Sequence, residues 1–178
     1  VLSFEPVEQG TVQTILRVTT TAGAFVLKYY ENRTEGALQF ELELLRHLHR
    51  YAFPAPCPTA NRSGQFHSVF SNKPLALFPV MPGRHPASLN ATQLEDLIRQ
   101  VATLHNVTRG FRSSSTDRWH YSREFCAAIA RRKAWESERP WAAEKRDWIL
   151  SQLDALDLPD NLPCGICHCD FDLSNLLF

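Results

Sequence analysis

The sequence predicts an α+β fold, with strands concentrated in the first half of the chain and helices in the second. Three observations carry this prediction. Short runs rich in β-branched and aromatic residues, separated by turn residues, fill residues 4–30. A helical period begins near Thr34, and another begins near Asn90. Runs of strands followed by runs of helices are typical of the α+β class.

The first strands are predicted at residues 4–8, 15–21 and 24–30, with Gly10 in the first turn between them. Lys28 is the only charged residue of the third run. A lysine in the middle of a strand usually keeps its ammonium group in solvent, and the residues alone favour that interpretation.

An amphipathic helix is predicted over residues 34–51, because leucines recur at helical spacing on one stripe. We expect this stripe to be core. Its members are Leu38, Leu42, Leu45 and Leu48. Glu41 lies beside the stripe, where an exposed glutamate is the ordinary expectation.

A hairpin at residues 66–70 and 75–80 is predicted to complete a five-stranded sheet. The Pro-rich segment at residues 53–56 precedes it and is kept out of a helix by its prolines. The Pro82-Gly83 pair that follows the hairpin by itself indicates only a turn.

Three helices are predicted in the second half of the chain. Asn90 and Gln93 form a capping box at the start of the first helix. The second and third helices span residues 122–137 and 140–156, and Pro140 suits the first turn of the third. Four tryptophans in this region are expected to be core or cleft wall. They are Trp119, Trp135, Trp141 and Trp148.

The end of the chain carries the residues that suit chemistry. His168, Asp170 and Asn175 lie between two short apolar runs, and the second run, residues 176–178, is predicted to be a buried strand. Asp172 adds a second carboxylate. Such a set suits a reaction in which one acid accepts a hydroxyl proton and a neighbouring oxygen ligand holds Mg²⁺.

The same stretch also fits two other patterns. Cys164-x-x-Cys167-His168 matches c-type haem attachment, and the addition of Cys169 suggests a zinc cluster. Haem attachment needs an export signal, and the N-terminus is not a basic and then apolar leader. A zinc site usually has a second ligand pair, whereas Cys57 and Cys126 are isolated. We favour small, buried, apolar cysteines.

Composition narrows the class of protein. The 178 residues are 44% hydrophobic with zero formal net charge, which is typical of a globular chain and offers no electrostatic footprint for nucleic acid. No apolar run is long enough to span a membrane. Five cysteines without disulfide-like spacing favour a reducing compartment, so we expect a cytoplasmic protein with no membrane or nucleic-acid partner.

The pattern H-x-D-x-x-x-x-N resembles the catalytic loop of the aminoglycoside phosphotransferase, choline kinase and homoserine kinase superfamily, a branch of the protein-kinase-like fold. The approach Leu162-Pro163-Cys164-Gly165 and the exit Asn175-Leu176-Leu177-Phe178 fit that family as well. The resemblance implies that Asp170 is the catalytic base, Asn175 a metal ligand and His168 a packing residue.

The resemblance extends to the first half of the chain. It implies that Lys28 contacts nucleotide phosphates and pairs with Glu41 rather than Glu43. The turn at Gly10 takes the place of the kinase Gly-rich loop, although it has one glycine and not three, with Gln13 where family members often have Asn.

The segment after the hairpin resembles the connector between the kinase lobes, where the carbonyl of Pro79 and the amide of Met81 would bind adenine. The implied organisation is a nucleotide-binding β-lobe at residues 1–80, a connector at 81–86 and a helical lobe with the catalytic loop at 87–178. ATP and Mg²⁺ are the implied cofactors.

The implied function is ATP-dependent phosphorylation of a hydroxyl group on a small molecule, closest to homoserine kinases and aminoglycoside phosphotransferases. Two alternatives stay open: a non-catalytic nucleotide-binding module of the same fold, and a Cys/His metal or redox protein. In the family a second metal-binding Asp follows the Asn, and the chain stops at Phe178. We therefore expect a truncated chain that is inactive alone and self-associates through residues 176–178.

Overall fold

The computed structural model describes residues 1–7, 13–118, 121–157, 159, 161–162 and 165–178. They form a five-stranded sheet and helices, so the predicted α+β class is confirmed. The chain divides into two compact units, one comprising Val1–Arg118 with Gly165–Phe178 and the other Trp119–Cys164. The predicted lobe boundaries at residues 80 and 86 stay a prediction. No helix in the described ranges has both the length and the apolar character that crossing a membrane requires.

The sheet is antiparallel throughout, in the order β1-β2-β3-β5-β4, with β3 at its centre. Its last two strands are the predicted hairpin, which is shorter than predicted in its first strand. The strands are β1 (Ser3–Pro6), β2 (Thr14–Thr20), β3 (Gly23–Tyr29), β4 (Ser68–Phe70) and β5 (Lys73–Pro79).

Helix α1 (Glu35–Arg50) packs on the sheet and closes the core of the first unit. The Thr34 hydroxyl accepts a hydrogen bond from the Ala37 amide (3.1 Å) and caps the helix start. The predicted leucine stripe is core, with Leu45 at its margin. The core cluster joins this stripe to the sheet and comprises Tyr30, Leu38, Leu42, Ala76 and Phe78.

Helix α2 (Ala91–Val107) starts with the predicted capping box. The Gln93 amide donates to Asn90 Oδ1 (2.9 Å), and the Asn90 amide donates to Gln93 Oε1 (3.1 Å). Leu104 is buried, whereas Leu94 and Ile98 of the same helix are exposed.

The second unit contains helices α3 (Arg123–Trp135) and α4 (Ala142–Ala155), which pack against each other. The tryptophans were predicted to be core or cleft wall, and the three that are described are not core. Trp135 is 91% exposed, and Trp141 and Trp148 are more than half exposed. The buried residues of this helix pair are small, Ala127 and Ala142, so the indoles lie outside the contact. Trp119 lies outside the described residues.

The cysteines also differ from expectation. Cys167 and Cys169 are exposed, and Cys57 and Cys126 are partly buried, so burial does not account for the first pair. Cys164 lies outside the described residues. Within the described ranges, no group of three or more His, Cys, Asp and Glu side chains is placed to hold a metal ion.

The segment after α2 is hydrogen-bonded to α1 through Glu43. The Glu43 carboxylate accepts hydrogen bonds from the Ser114 amide (2.9 Å), the Ser114 hydroxyl (2.6 Å), the Ser113 hydroxyl and Gln39 Nε2 (2.7 Å). Burial by itself raises the pKa of Glu43, but these hydrogen bonds outweigh it and lower the pKa to about 2. Sequence analysis considered Glu43 only as a rival to Glu41.

This arrangement predicts how stability depends on pH. Because the folded-state pKa lies below the usual 4.5, Glu43 contributes stability above pH 4.5 that is lost as the pH falls towards 2. We expect Glu43→Gln to lower the free energy of unfolding at pH 7 by about 2 kcal/mol and to flatten its fall between pH 4.5 and 2. Urea unfolding across this range measures both effects.

Glu95→Gln is the matched control for Glu43→Gln. Glu95 pairs with Arg99 on the exposed surface of α2, where an ion pair contributes about 0.5 kcal/mol. Equal losses of stability in the two variants would contradict the role assigned to the Glu43 contacts.

Candidate active site

Lys28 lies at the centre of the sheet, on the face that α1 covers. It is paired with Ile15 of β2 and with Ala76 of β5. Directly opposed residues of antiparallel strands share a face, and Ala76 belongs to the buried core. The interpretation of Lys28 as a solvated surface lysine is therefore wrong, because the strand register directs its side chain towards the helix.

Glu41 meets Lys28 from α1, with Lys28 Nζ and Glu41 Oε1 3.3 Å apart. The side chains are 31% and 22% exposed, respectively, so the pair is shielded from water only in part. The sequence prediction paired these two residues, and their contact is present.

Glu41 also binds two residues that sequence analysis did not single out. The Tyr30 hydroxyl donates to Oε1 (2.8 Å), and Arg33 Nη1 lies 3.1 Å from Oε2. Burial, followed by the charge of Glu41, raises the pKa of Tyr30 far above its ordinary value, so its hydroxyl remains a donor. Tyr30 follows Lys28 by two residues, and the strand period could have indicated a shared face. Arg33 carried no such signal.

The predicted connector, residues 81–86, follows β5. The Val80 amide donates to the Ala24 carbonyl (3.3 Å), which makes the adjacent pair of Phe25 and Pro79 a non-hydrogen-bonded one. The Pro79 carbonyl therefore points away from β3, and a proline is tolerated here because no amide is needed. The amide of Met81 forms no hydrogen bond with another described residue. Both groups predicted to bind adenine are thus unused within the sheet.

The stretch around Asp170 forms a loop and a short 3-10 helix, Leu173–Asn175. Asp172 caps this helix, since its carboxylate accepts from the Ser174 amide (2.9 Å) and hydroxyl (2.6 Å). Hydrogen bonds from the Ser174 side chain and backbone lower the pKa of Asp172. Asn175 Nδ2 donates to the backbone carbonyl of Asp170 (3.2 Å), which ties the two ends of the motif together.

The Asp170 carboxylate and Asn175 Oδ1 are polar groups of the motif that remain available. Asp170 is exposed, and its carboxylate forms no hydrogen bond or ion pair with a described residue. The His168 ring stacks on Phe171, with centroids 4.9 Å apart. With Nδ2 of Asn175 occupied, its Oδ1 is the atom left to accept a ligand.

The last three residues contact the connector and do not form the predicted buried strand. The amide of Arg84 donates to the carbonyl of Phe178 (2.9 Å), the amide of Phe178 donates back (3.1 Å), and His85 Nδ1 lies 2.8 Å from the carbonyl of Leu176. Gly83 permits this approach, since a Cβ there would lie 3.1 Å from Leu177 Cβ. Leu177 and Phe178 are each 42% exposed, because only a short stretch of backbone is paired.

The predicted site residues therefore fall into groups. Lys28 and Glu41 are in contact, and Asp170 and Asn175 are in contact. Within the described ranges no hydrogen bond or ion pair joins the first pair to the second. Gly10 lies outside the described residues. The roles assigned to all of these residues stay predictions.

The donor set fits the implied cofactors. Carboxylate and carbonyl oxygens suit Mg²⁺, and Asn175 Oδ1 is available as such a ligand. A phosphate chain needs a cation that is held in place, and Lys28 is held by Glu41.

Comparisons with known proteins point to one family. A family model described as the phosphotransferase enzyme family matches residues 3–178. The chain is 29% identical over 181 residues to a homoserine kinase of Caulobacter sp. (strain K31), covering 99% of this chain and 55% of that protein. For a homoserine kinase of Neisseria meningitidis serogroup B, identity is 29% over 178 residues, covering 99% and 56%. The chain spans about half the length of the curated relatives it matches.

Two solved structures share the fold. An amicoumacin kinase in complex with AMP-PNP, Ca²⁺ and Ami superposes with a TM-score of 0.71 at 15% identity, covering 88% of this chain and 49% of that chain. A spectinomycin phosphotransferase in complex with ADP and spectinomycin gives 0.62 at 14% identity, covering 98% and 59%. At these identities the likeness concerns the fold, and it confirms the predicted kinase-like class. From the family match and the shared fold, the chain belongs to the phosphotransferase enzyme family.

Proposed function

We propose that the chain carries the nucleotide-binding lobe and the catalytic loop of an ATP-dependent phosphotransferase. Its acceptor is a hydroxyl group on a small molecule, as in homoserine kinases or aminoglycoside phosphotransferases. The observation that carries the proposal is the Lys28–Glu41 pair on the helix-covered face of the sheet. A charged pair on a core-facing surface costs desolvation energy, which a phosphate-binding role explains better than stability does.

Lys28 supplies the cation for the phosphate chain in this proposal. Glu41 holds its ammonium group at a fixed place, so little side-chain entropy is lost when an anion binds. The Pro79 carbonyl and the Met81 amide offer one acceptor and one donor for the edge of adenine. The proposed phosphate contact of Gly10 rests on the family resemblance alone.

Asp170 is the proposed base. Its carboxylate is unpaired within the described residues, so it is available to accept the proton of an acceptor hydroxyl. Asn175, anchored through Nδ2, presents Oδ1 as the metal ligand. ATP supplies the phosphoryl group, and Mg²⁺ supplies charge neutralisation at that group.

An ATP consumption assay with the intact encoded protein tests the proposal. Homoserine and a panel of aminoglycosides serve as acceptors, and we expect acceptor-dependent release of ADP in the presence of Mg²⁺. Binding of ATP without turnover by any hydroxyl acceptor would favour the non-catalytic nucleotide-binding module. Failure to bind ATP would overturn both the proposed phosphotransferase and the non-catalytic nucleotide-binding module.

Self-association of the 178-residue chain is a further prediction of the proposal. Leu177 and Phe178 expose apolar surface beside a short paired stretch of backbone, which is a hazard for association. We expect the isolated chain to form dimers or larger species in size-exclusion chromatography with light scattering, and Leu177→Lys to reduce them. Leu156→Lys is the control, because Leu156 is equally exposed (43%) at the end of α4. A monodisperse monomer would contradict the prediction.

A further inference from the structure

We propose that Tyr30 is a positioning residue for the nucleotide site: its hydroxyl and its ring hold Glu41 and Lys28 in the geometry that binds phosphate before ATP arrives. The inference rests on the proposed function and adds a third member to the Lys28–Glu41 pair. Tyr30 follows β3 directly and has no exposed surface.

The hydroxyl of Tyr30 fixes the carboxylate of Glu41. It donates to Oε1 at 2.8 Å, and Lys28 Nζ binds the same oxygen at 3.3 Å. The shorter contact comes from the buried residue. Glu41 therefore keeps its orientation even when the lysine turns towards a ligand.

The ring of Tyr30 contacts the ammonium group of Lys28. Lys28 Nζ lies 4.9 Å from the ring centroid, within the range of a cation–π interaction. Tyr30 thus contacts both members of the ion pair, through two different parts of one side chain.

The scaffold around Tyr30 makes it a fixed reference point. Its amide donates to the carbonyl of Pro74 (2.9 Å), and its ring belongs to the core cluster with Leu38 and Leu42 of α1. Arg33, which binds the other oxygen of Glu41, is 39% exposed in its side chain and lies in the irregular segment between β3 and α1. Of the two additional partners of Glu41, Tyr30 is the one whose position the core determines.

The inference predicts the effect of removing one oxygen atom. Tyr30→Phe keeps the ring and its packing, and we expect the Kd for ATP in the intact protein to rise about tenfold, as for the loss of one charge-assisted hydrogen bond. The KM for the acceptor should stay unchanged. Isothermal titration with ATP and Mg²⁺, together with initial-rate kinetics, measures the two quantities.

Tyr29→Phe is the matched control. Tyr29 precedes Tyr30 and points to the opposite face of the strand, where its hydroxyl donates to the carbonyl of Phe70 (3.1 Å). The same chemical change there should leave the Kd for ATP unchanged. Circular dichroism and thermal unfolding of both variants show whether each is folded.

A double-mutant cycle identifies the route through which Tyr30 acts. If Tyr30 positions Glu41, then Tyr30→Phe should raise the Kd for ATP less when Glu41→Gln is already present. Fully additive effects would overturn the inference. So would a Tyr30→Phe protein with a lower melting temperature and an unchanged Kd for ATP, because that outcome means a structural role alone.

The Lys28→Ala variant separates this inference from the proposed function. If Lys28→Ala weakens ATP binding and Tyr30→Phe does not, the nucleotide site stands and the role of Tyr30 is refuted. If Lys28→Ala has no effect on ATP binding, the proposed site itself is wrong.

Discussion

We expect the Asp170→Asn variant of the intact protein to lose phosphoryl transfer, with a fall in kcat on the order of 10²–10⁴. The Kd for ATP should change by less than about twofold, because the base acts on the acceptor hydroxyl and not on the nucleotide. Asn has nearly the same shape as Asp but cannot accept that proton. Coupled-enzyme kinetics and titration with ATP check the two halves of this result.

Asp172→Asn is the control for Asp170→Asn. The change is the same, and an asparagine side chain can keep the cap that Asp172 provides to the 3-10 helix. Activity should therefore survive. Wild-type turnover by Asp170→Asn would refute the assignment of the base, and loss of turnover in Asp172→Asn would make Asp172 a candidate metal ligand.

Lys28→Ala should raise the Kd for ATP about 30-fold, which corresponds to about 2 kcal/mol. The value lies at the lower end for a hydrogen-bonded charge pair, because Lys28 is 31% exposed. Little change in stability is expected, since Tyr30 and Arg33 continue to bind the carboxylate of Glu41. Isothermal titration and thermal unfolding measure both quantities.

Lys73→Ala is the control for Lys28→Ala. Lys73 lies in β5 and pairs with Glu31, and its ammonium group is 6.0 Å from the centroid of the Tyr29 ring. It thus forms an ion pair and an aromatic contact of the same kinds, outside the candidate site. Equal ATP affinity in wild type and Lys28→Ala would show that Lys28 binds no phosphate.

Local chemistry explains what could be predicted from the sequence. Asn90 and Gln93 satisfy each other's amides within one helical turn, so their capping box depends on nothing distant. The stripe of leucines in α1 is core because helical spacing fixes which side chains share a face. Lys28 and Glu41 were paired through the family resemblance, and the strand register explains why they meet.

Features that depend on contacts between distant segments of the chain could not be predicted. Trp135 is exposed because other residues of α3 contact α4. That a residue is a tryptophan does not determine whether it lies in this contact. Arg33 reaches Glu41 from the irregular segment between β3 and α1, whose course no periodicity describes. Residues 176–178 were predicted as a strand from composition, yet their pairing is with Arg84, far away in the chain.

The contact between Arg84 and Phe178 has a consequence for how the protein is made. The two residues exchange both backbone hydrogen bonds across more than ninety intervening positions, so the connector stays unpaired until the catalytic loop has left the ribosome. At roughly 5–20 residues per second, that interval is on the order of 5–20 s. The sheet and the core cluster can form within it, because every strand and every residue of that cluster precedes Arg84. A nascent chain arrested before Phe178 should therefore have a folded sheet and a connector that lacks its backbone hydrogen bonds.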